Sequence, residues 1–227
     1  MGNLPPSAKV HLGCGSYTPP GWINVDGSWN AWISKYPFIK TIFKKIRVIP
    51  SQITEATYDK NILIHDVKNP LPFEDNSVKA IYSSHLLEHL YLSEAKSLLR
   101  DCYRILVKGG IIRMVVPDLK SLAKEYLSHD NSPSPEPRAD ILNRKLLLRG
   151  EAPPAGNITY KLYNLLKDFH SHKWMYDAES LIYHLQEAGF LDVKNCAFQE
   201  SLIEDIEVIE KAGRVLNEPA ICVEGIK

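Results

Sequence analysis

The side chains best suited to chemistry fall into two groups. In the first, three short apolar runs each end in a polar or flexible group: Gly13-Cys14-Gly15, then Asp26, then Asp66. Glycines after a strand let the backbone approach a ligand closely. A carboxylate at the next strand end can accept hydrogen bonds from both hydroxyls of a ribose, the role read for Asp26. Asp66 can accept in the same way from an adenine amino group. A Gly-x-Gly turn alone is no more than a tight turn, and a lone acid at a strand end is commonly a solvated cap. Three such strand ends in succession spell a nucleoside site.

The second group is titratable. His85, Glu88 and His89 stand at i, i+3 and i+4, so they can share one helix face. As a metal site this set is incomplete, because no second ligand cluster stands out, and no metal is expected. Glu88-His89 reads as a hydrogen-bonded pair steadying a loop. His85, nearer a strand end, is the better general base. His170, His172 and Lys173 lie beside Trp174 and Tyr176, and His172 is the second catalytic candidate, at an acceptor pocket.

These residues need a sheet to position them. Short apolar runs alternate with helical patterns, the mark of βα units and a mostly parallel sheet. The runs are 8–12, 22–25, 62–65, 78–82 and 110–116, with two more near 193–198 and 220–225. A helix is expected over 93–107, where Ala95, Leu98, Leu99, Cys102, Ile105 and Leu106 recur at helical spacing before Lys108-Gly109-Gly110. Another is expected over 178–188, closed by Gly189, and a helical pattern covers 202–212. The fold expected is α/β: a Rossmann-like seven-stranded sheet with helices on both faces and a helical cap.

At 227 residues the chain suits one domain, 1–227, with insertions at 27–60 and 118–170. The first insertion carries Trp29, Trp32, Tyr36, Phe38 and Phe43, and its stretch 35–47 holds Lys35, Lys40, Lys44, Lys45 and Arg47 without an acid. Its basic, aromatic character invites a membrane-surface or anionic-substrate reading, and an amphipathic lid with lysines in solvent is the one favoured. The second is split by Pro-rich runs at 128–137 and 152–156, which read as loops within a cap.

Lys+Arg and Asp+Glu number 27 each, so net charge gives no attraction to nucleic acid or to an anionic membrane. No apolar run approaches the roughly 20 residues of a membrane span, and residues 1–9 lack the apolar core of a signal peptide. Cys14, Cys102, Cys196 and Cys222 lie far apart, without a Cys-x-x-Cys pair, as reduced buried thiols do. A cytoplasmic protein is expected, with its oligomeric state open.

The most specific block is Pro70-Leu71-Pro72-Phe73-Glu74-Asp75-Asn76-Ser77 followed by Ile81-Tyr82-Ser83-Ser84-His85-Leu86-Leu87-Glu88-His89-Leu90. Here the chain resembles the class I S-adenosylmethionine-dependent methyltransferases of type 11. Within them it is similar to a bacterial stand-alone subgroup with Leu-Gly-Cys-Gly and Gly-Trp-Ile-Asn-Val-Asp motifs. Residues 103–110, 115–119 and 175–177 look like the same family. The resemblance implies S-adenosylmethionine as cofactor, with Gly13, Cys14 and Gly15 facing its methionine part and Asp26 holding the ribose. It implies that Asp66 and the backbone of Val67 recognise adenine, and that Ser84 and His85 line the pocket beneath the sulfonium. A small-molecule or carbohydrate-type acceptor is also implied, since such bacterial members are associated with polysaccharide or glycolipid synthesis.

One departure from the family stands out. Only ten residues separate Gly15 from Asp26, with Pro19-Pro20 among them, so the usual helix after the glycine loop must be absent or a single turn. That disfavours the competing reading, an NAD-linked oxidoreductase, whose third glycine would fall where Thr18 stands. A non-catalytic module binding a nucleoside or a protein is the other alternative. Gly13, Gly15, Asp26 and Asp66 together argue against it.

Overall fold

A computed structural model describes residues 8–36, 59, 61–128, 136–147, 171–217 and 219–227. Seven strands form one sheet in the order β3-β2-β1-β4-β5-β7-β6. They are β1 (Lys9–Leu12), β2 (Ile23–Asp26), β3 (Leu63–Ile64), β4 (Val78–Ser84), β5 (Leu106–Pro117), β6 (Leu191–Cys196) and β7 (Ala220–Ile226). Only β7 runs against its neighbours. The order reverses direction between β1 and β4, and the carboxyl ends flanking such a reversal are where open α/β sheets bind ligands.

One face of the sheet carries the long helices. Helix α2 (Leu92–Ile105) buries Ala95, Leu98, Leu99, Cys102 and Ile105, a stripe at helical spacing. Glu94 caps its start by accepting from the Tyr91 N–H at 2.9 Å. With α5 (Ala178–Glu187), whose Leu181 and Leu185 are buried, it covers Val10, Leu12 and Ile81 of the central strands. Each leucine so buried contributes about 1.5–3 kcal/mol.

The other face is covered differently. No helix follows the glycine loop; the chain makes a turn instead, with Tyr17 N–H donating to the Cys14 carbonyl at 3.1 Å. Where that helix would pack, Trp22 and Tyr82 meet Ile203, Ile206, Ile209 and Val215 from much later in the chain. The expected helix over 202–212 is therefore corrected to two single turns, α6 (Ile206–Ile209) and α7 (Ala212–Val215). Ile203, Ile206 and Ile209 mimic helical spacing, but Asp205 sits at a left-handed φ of 59° and breaks the run. The segment is held instead by buried charge. Arg113 of β5, with no exposed side chain, donates to Glu210 at 2.7 and 2.9 Å and to Glu224 at 3.5 Å. Its remaining N–H groups reach the Glu200 and Ala197 carbonyls, each at 2.9 Å.

Of the first insertion, a short helix α1 (Trp29–Ser34) is described; its N-cap Ser28 accepts from Ala31 N–H. Phe38, Lys40, Phe43, Lys44, Lys45 and Arg47 lie outside the described residues. Of the second, α3 (Leu119–Leu127) and α4 (Arg138–Lys145) are linked by a Lys145–Glu125 ion pair at 2.5 Å. His170 and the run 152–156 also fall outside.

Candidate active site

A cleft of about 520 Å³ opens at the carboxyl ends of β1, β2 and β4, within the range of small-molecule sites. Gly13 and Gly15 form its floor at φ 67° and 57°, where side chains are rarely tolerated. A Cβ on Gly13 would meet the Leu86 side chain at 3.0 Å. Asp26, 6% exposed, anchors this floor: one carboxylate oxygen accepts from Gly15 N–H at 2.7 Å and the other from Ser28 N–H at 2.8 Å. Each oxygen has two lone pairs, so both keep acceptor capacity for ribose hydroxyls. Next to it, Gly27 packs so closely that a Cβ there would lie 2.5 Å from the His65 carbonyl. Asp66 and the buried Val67 form the adjoining wall.

The structure thus brings Gly13, Gly15, Asp26, Asp66, Val67 and His85 to one cleft. Cys14 and Ser84 are not on its lining; both side chains point into protein. Burial, reinforced by the charge of Asp26, pushes the Cys14 thiol up to about 12, so it carries no thiolate chemistry. Arg214 escaped the sequence reading because it lies 199 positions after Gly15. It lines the cleft, with a guanidinium nitrogen 3.4 Å from where a Gly15 Cβ would stand. Asn217, His89 and Lys173 join it on the lining. No local pattern marks Arg214; only the packing of 203–215 beneath Trp22 carries it there.

His85 closes β4 at φ 54°, an unusual conformation for a residue with a side chain. Its backbone N–H donates to the Val115 carbonyl at 3.0 Å. Its ring Nε2 lies 2.7 Å from the Arg214 carbonyl, and Nδ1 lies 3.3 Å from Glu88 Oε1. Burial alone would lower its pKa, but the hydrogen bond and charge of Glu88 outweigh that and raise it. With both nitrogens facing oxygen acceptors, the ring is held toward its protonated form.

Behind His85 lies a second polar nest. Glu88, on the short 3₁₀ turn Leu87–His89, is fully buried, and beyond the His85 Nδ1 contact its oxygens have no hydrogen-bond partner among the described residues. His172 Nε2 stands 4.0 Å from Glu88 Oε1, and its Nδ1 is buried without a hydrogen-bond partner among the described residues. Burial, ahead of the opposing pull of Glu88, lowers the His172 pKa. Its ring packs edge-on to that of His89, 5.0 Å between centroids. Lys173 N–H donates to the Glu88 carbonyl at 2.7 Å, and so pins 171–176 to the turn. His172 therefore meets Glu88 and His89 behind the cleft wall.

The sequence matches a family model described as "Methyltransferase domain" over residues 44–114. No curated protein sequence matches it. Among solved structures it is similar to a SAM-dependent methyltransferase from Archaeoglobus fulgidus, at 17% identity over 97% of this chain and 86% of that one, with a TM-score of 0.50. A SAM-dependent methyltransferase from Thermotoga maritima aligns at 18% identity over 99% and 84% of the two chains, TM-score 0.48. The YcgJ protein of Bacillus aligns at 13% identity over 99% and 93%, TM-score 0.49. The Archaeoglobus likeness shows the shared fold: a seven-stranded, mostly parallel Rossmann-like sheet flanked by helices. The matched domain supports an S-adenosylmethionine-dependent methyltransferase, with S-adenosylmethionine as its cofactor.

Proposed function

We propose that this chain transfers a methyl group from S-adenosylmethionine to a small-molecule or carbohydrate-type acceptor. The observation that carries the reading is Asp26, a nearly buried carboxylate on the cleft that ties the glycine loop in place while keeping lone pairs for a ribose. Asp66 and the backbone of Val67 are assigned to adenine. Gly13 and Gly15 leave room for the methionine portion, and the Arg214 guanidinium beside Gly15 is the charge partner for its carboxylate. Cys14 and Ser84 shape the site from behind, through packing.

The sulfonium supplies a methyl already electrophilic, so the protein's task is to align the acceptor and exclude water. We assign His85 and His172 to the acceptor end. His85 lines the cleft directly, held between Glu88 and the Arg214 carbonyl; His172 acts from behind His89. The acceptor class rests on resemblance and on the small size of the cleft. Four thiols outside any disulfide suit the reducing cytoplasm, where we place the reaction. No helix among the described residues is long and apolar enough to cross a membrane.

Calorimetric titration with S-adenosylhomocysteine, with NAD in parallel, tests the reading. Binding of the first and silence with the second are expected; heat with NAD alone would overturn it. Asp26→Ala should weaken S-adenosylhomocysteine binding by about 2 kcal/mol or more, and unchanged affinity would show that another residue holds the ribose.

A further inference from the structure

The incomplete ligand set at 85–89 gains its missing member from a distant segment. Side-chain donors of Glu88, His89 and His172 all lie within 4.8 Å of one another. In a tetrahedral shell with bonds of about 2.0–2.2 Å, neighbouring donors stand roughly 3.4 Å apart, so small rotamer shifts would close the three around an ion. Two imidazoles and one carboxylate are the donor set of many zinc and non-haem iron sites.

Three further observations point to a cation. Glu88 is fully buried, and beyond the 3.3 Å contact of Oε1 with His85 Nδ1 its oxygens have no hydrogen-bond partner among the described residues. His85 meets one of its oxygens and leaves the other with open lone pairs, where a further positive centre can bind. His172 Nδ1 is buried and has no hydrogen-bond partner among the described residues, in a side chain only 5% exposed. His89 Nδ1 lies 3.3 Å from the Ser171 carbonyl, which fixes the proton on that nitrogen and leaves the Nε2 lone pair free to coordinate. That backbone contact is the outer-shell support a ligating histidine ordinarily has.

We propose that Glu88, His89 and His172 form a binding site for one divalent transition-metal ion of zinc-like chemistry. His89 lines the cleft while Glu88 and His172 lie behind it, so the ion sits in the wall between the cleft and residues 171–176. Three protein donors leave coordination positions for water or for an oxygen of the acceptor. Any use of the ion on an acceptor rests on the methyl-transfer reading above; its binding does not.

The test is titration of chelator-treated, full-length protein with Co²⁺, followed by Zn²⁺. One equivalent of Co²⁺ should give visible d–d absorption, Zn²⁺ should displace it, and Zn²⁺ should raise the unfolding temperature. His172→Ala and Glu88→Gln should each lose the absorption while unfolding cooperatively. Should Glu88→Gln fail to fold, His172→Ala and His89→Ala carry the same test. No absorption and no thermal shift in the wild-type protein would overturn the site. So would absorption that persists in all the variants. Failure to bind S-adenosylhomocysteine would instead remove the functional reading, and the Co²⁺ titration would still decide the metal.

Discussion

Glu210 and Glu88 are both completely buried, yet they live in opposite circumstances. Glu210 receives two N–H groups from Arg113 and one from Gln199 N–H at 2.6 Å. Glu88 has only His85 Nδ1 at 3.3 Å and His172 Nε2 at 4.0 Å beside its oxygens among the described residues. The first carboxylate is a fastening: it holds 197–215 to β5 and with it Arg214 at the cleft. The second keeps acceptor capacity open to whatever binds beside it. A buried polar group with all its partners serves the fold; one without them is available to a ligand.

Several measurements would break or sharpen that contrast. Removing the fastening should cost most. Arg113→Met leaves two carboxylates buried without their cation, and should destabilise the protein by about 3–5 kcal/mol in chemical denaturation. Adding Glu210→Gln should restore part of that loss, and a single-variant cost below about 1 kcal/mol would show that the network is ornamental.

His11 lies between the two extremes, with Nδ1 3.2 Å from Asn24 and Nε2 unpartnered. Burial, only partly opposed by Asn24 and helped by Arg214, lowers its pKa from 6.5 to about 4; its other ring neighbours are Tyr17 and Tyr82. The folded state keeps this imidazole neutral, whereas the unfolded chain protonates it below pH 6.5. Its contribution is therefore complete above 6.5 and is lost as pH falls toward 4. At about 1.4 kcal/mol per pH unit, the loss reaches up to about 3 kcal/mol. Denaturation midpoints across that window check it, and a His11→Gln variant should show a shallower fall.

The smallest effect is expected at Glu88. With chelator present at pH 8, Glu88→Gln should change stability by less than about 1 kcal/mol, because only the long 3.3 Å contact with His85 Nδ1 is altered. A cost as large as that of Arg113→Met would place Glu88 among the fastenings and erase the contrast.

How much of this was legible in the sequence follows from the range of each interaction. The strand ends at Gly13, Asp26 and Asp66 were readable because strand, turn and polar group are consecutive. The missing helix was readable too, since Pro19-Pro20 in a ten-residue gap leaves it no room. The pattern at Ile203, Ile206 and Ile209 misled, because three anchors of an irregular segment happened to fall at near-helical spacing. Pairings such as His172 with Glu88, or Arg214 with Gly15, leave no local trace. They depend on a segment returning from far along the chain.

The turn that replaces the first helix also has a consequence for synthesis. Tyr17 hydroxyl donates to the Val208 carbonyl, a closure across 191 positions, and Arg214 completes the cleft from the same segment. A nascent chain therefore cannot form the cleft piecemeal as its early strands emerge. The complete cleft must wait until residues up to 217 have left the ribosome, so this wall is a non-local part of assembly.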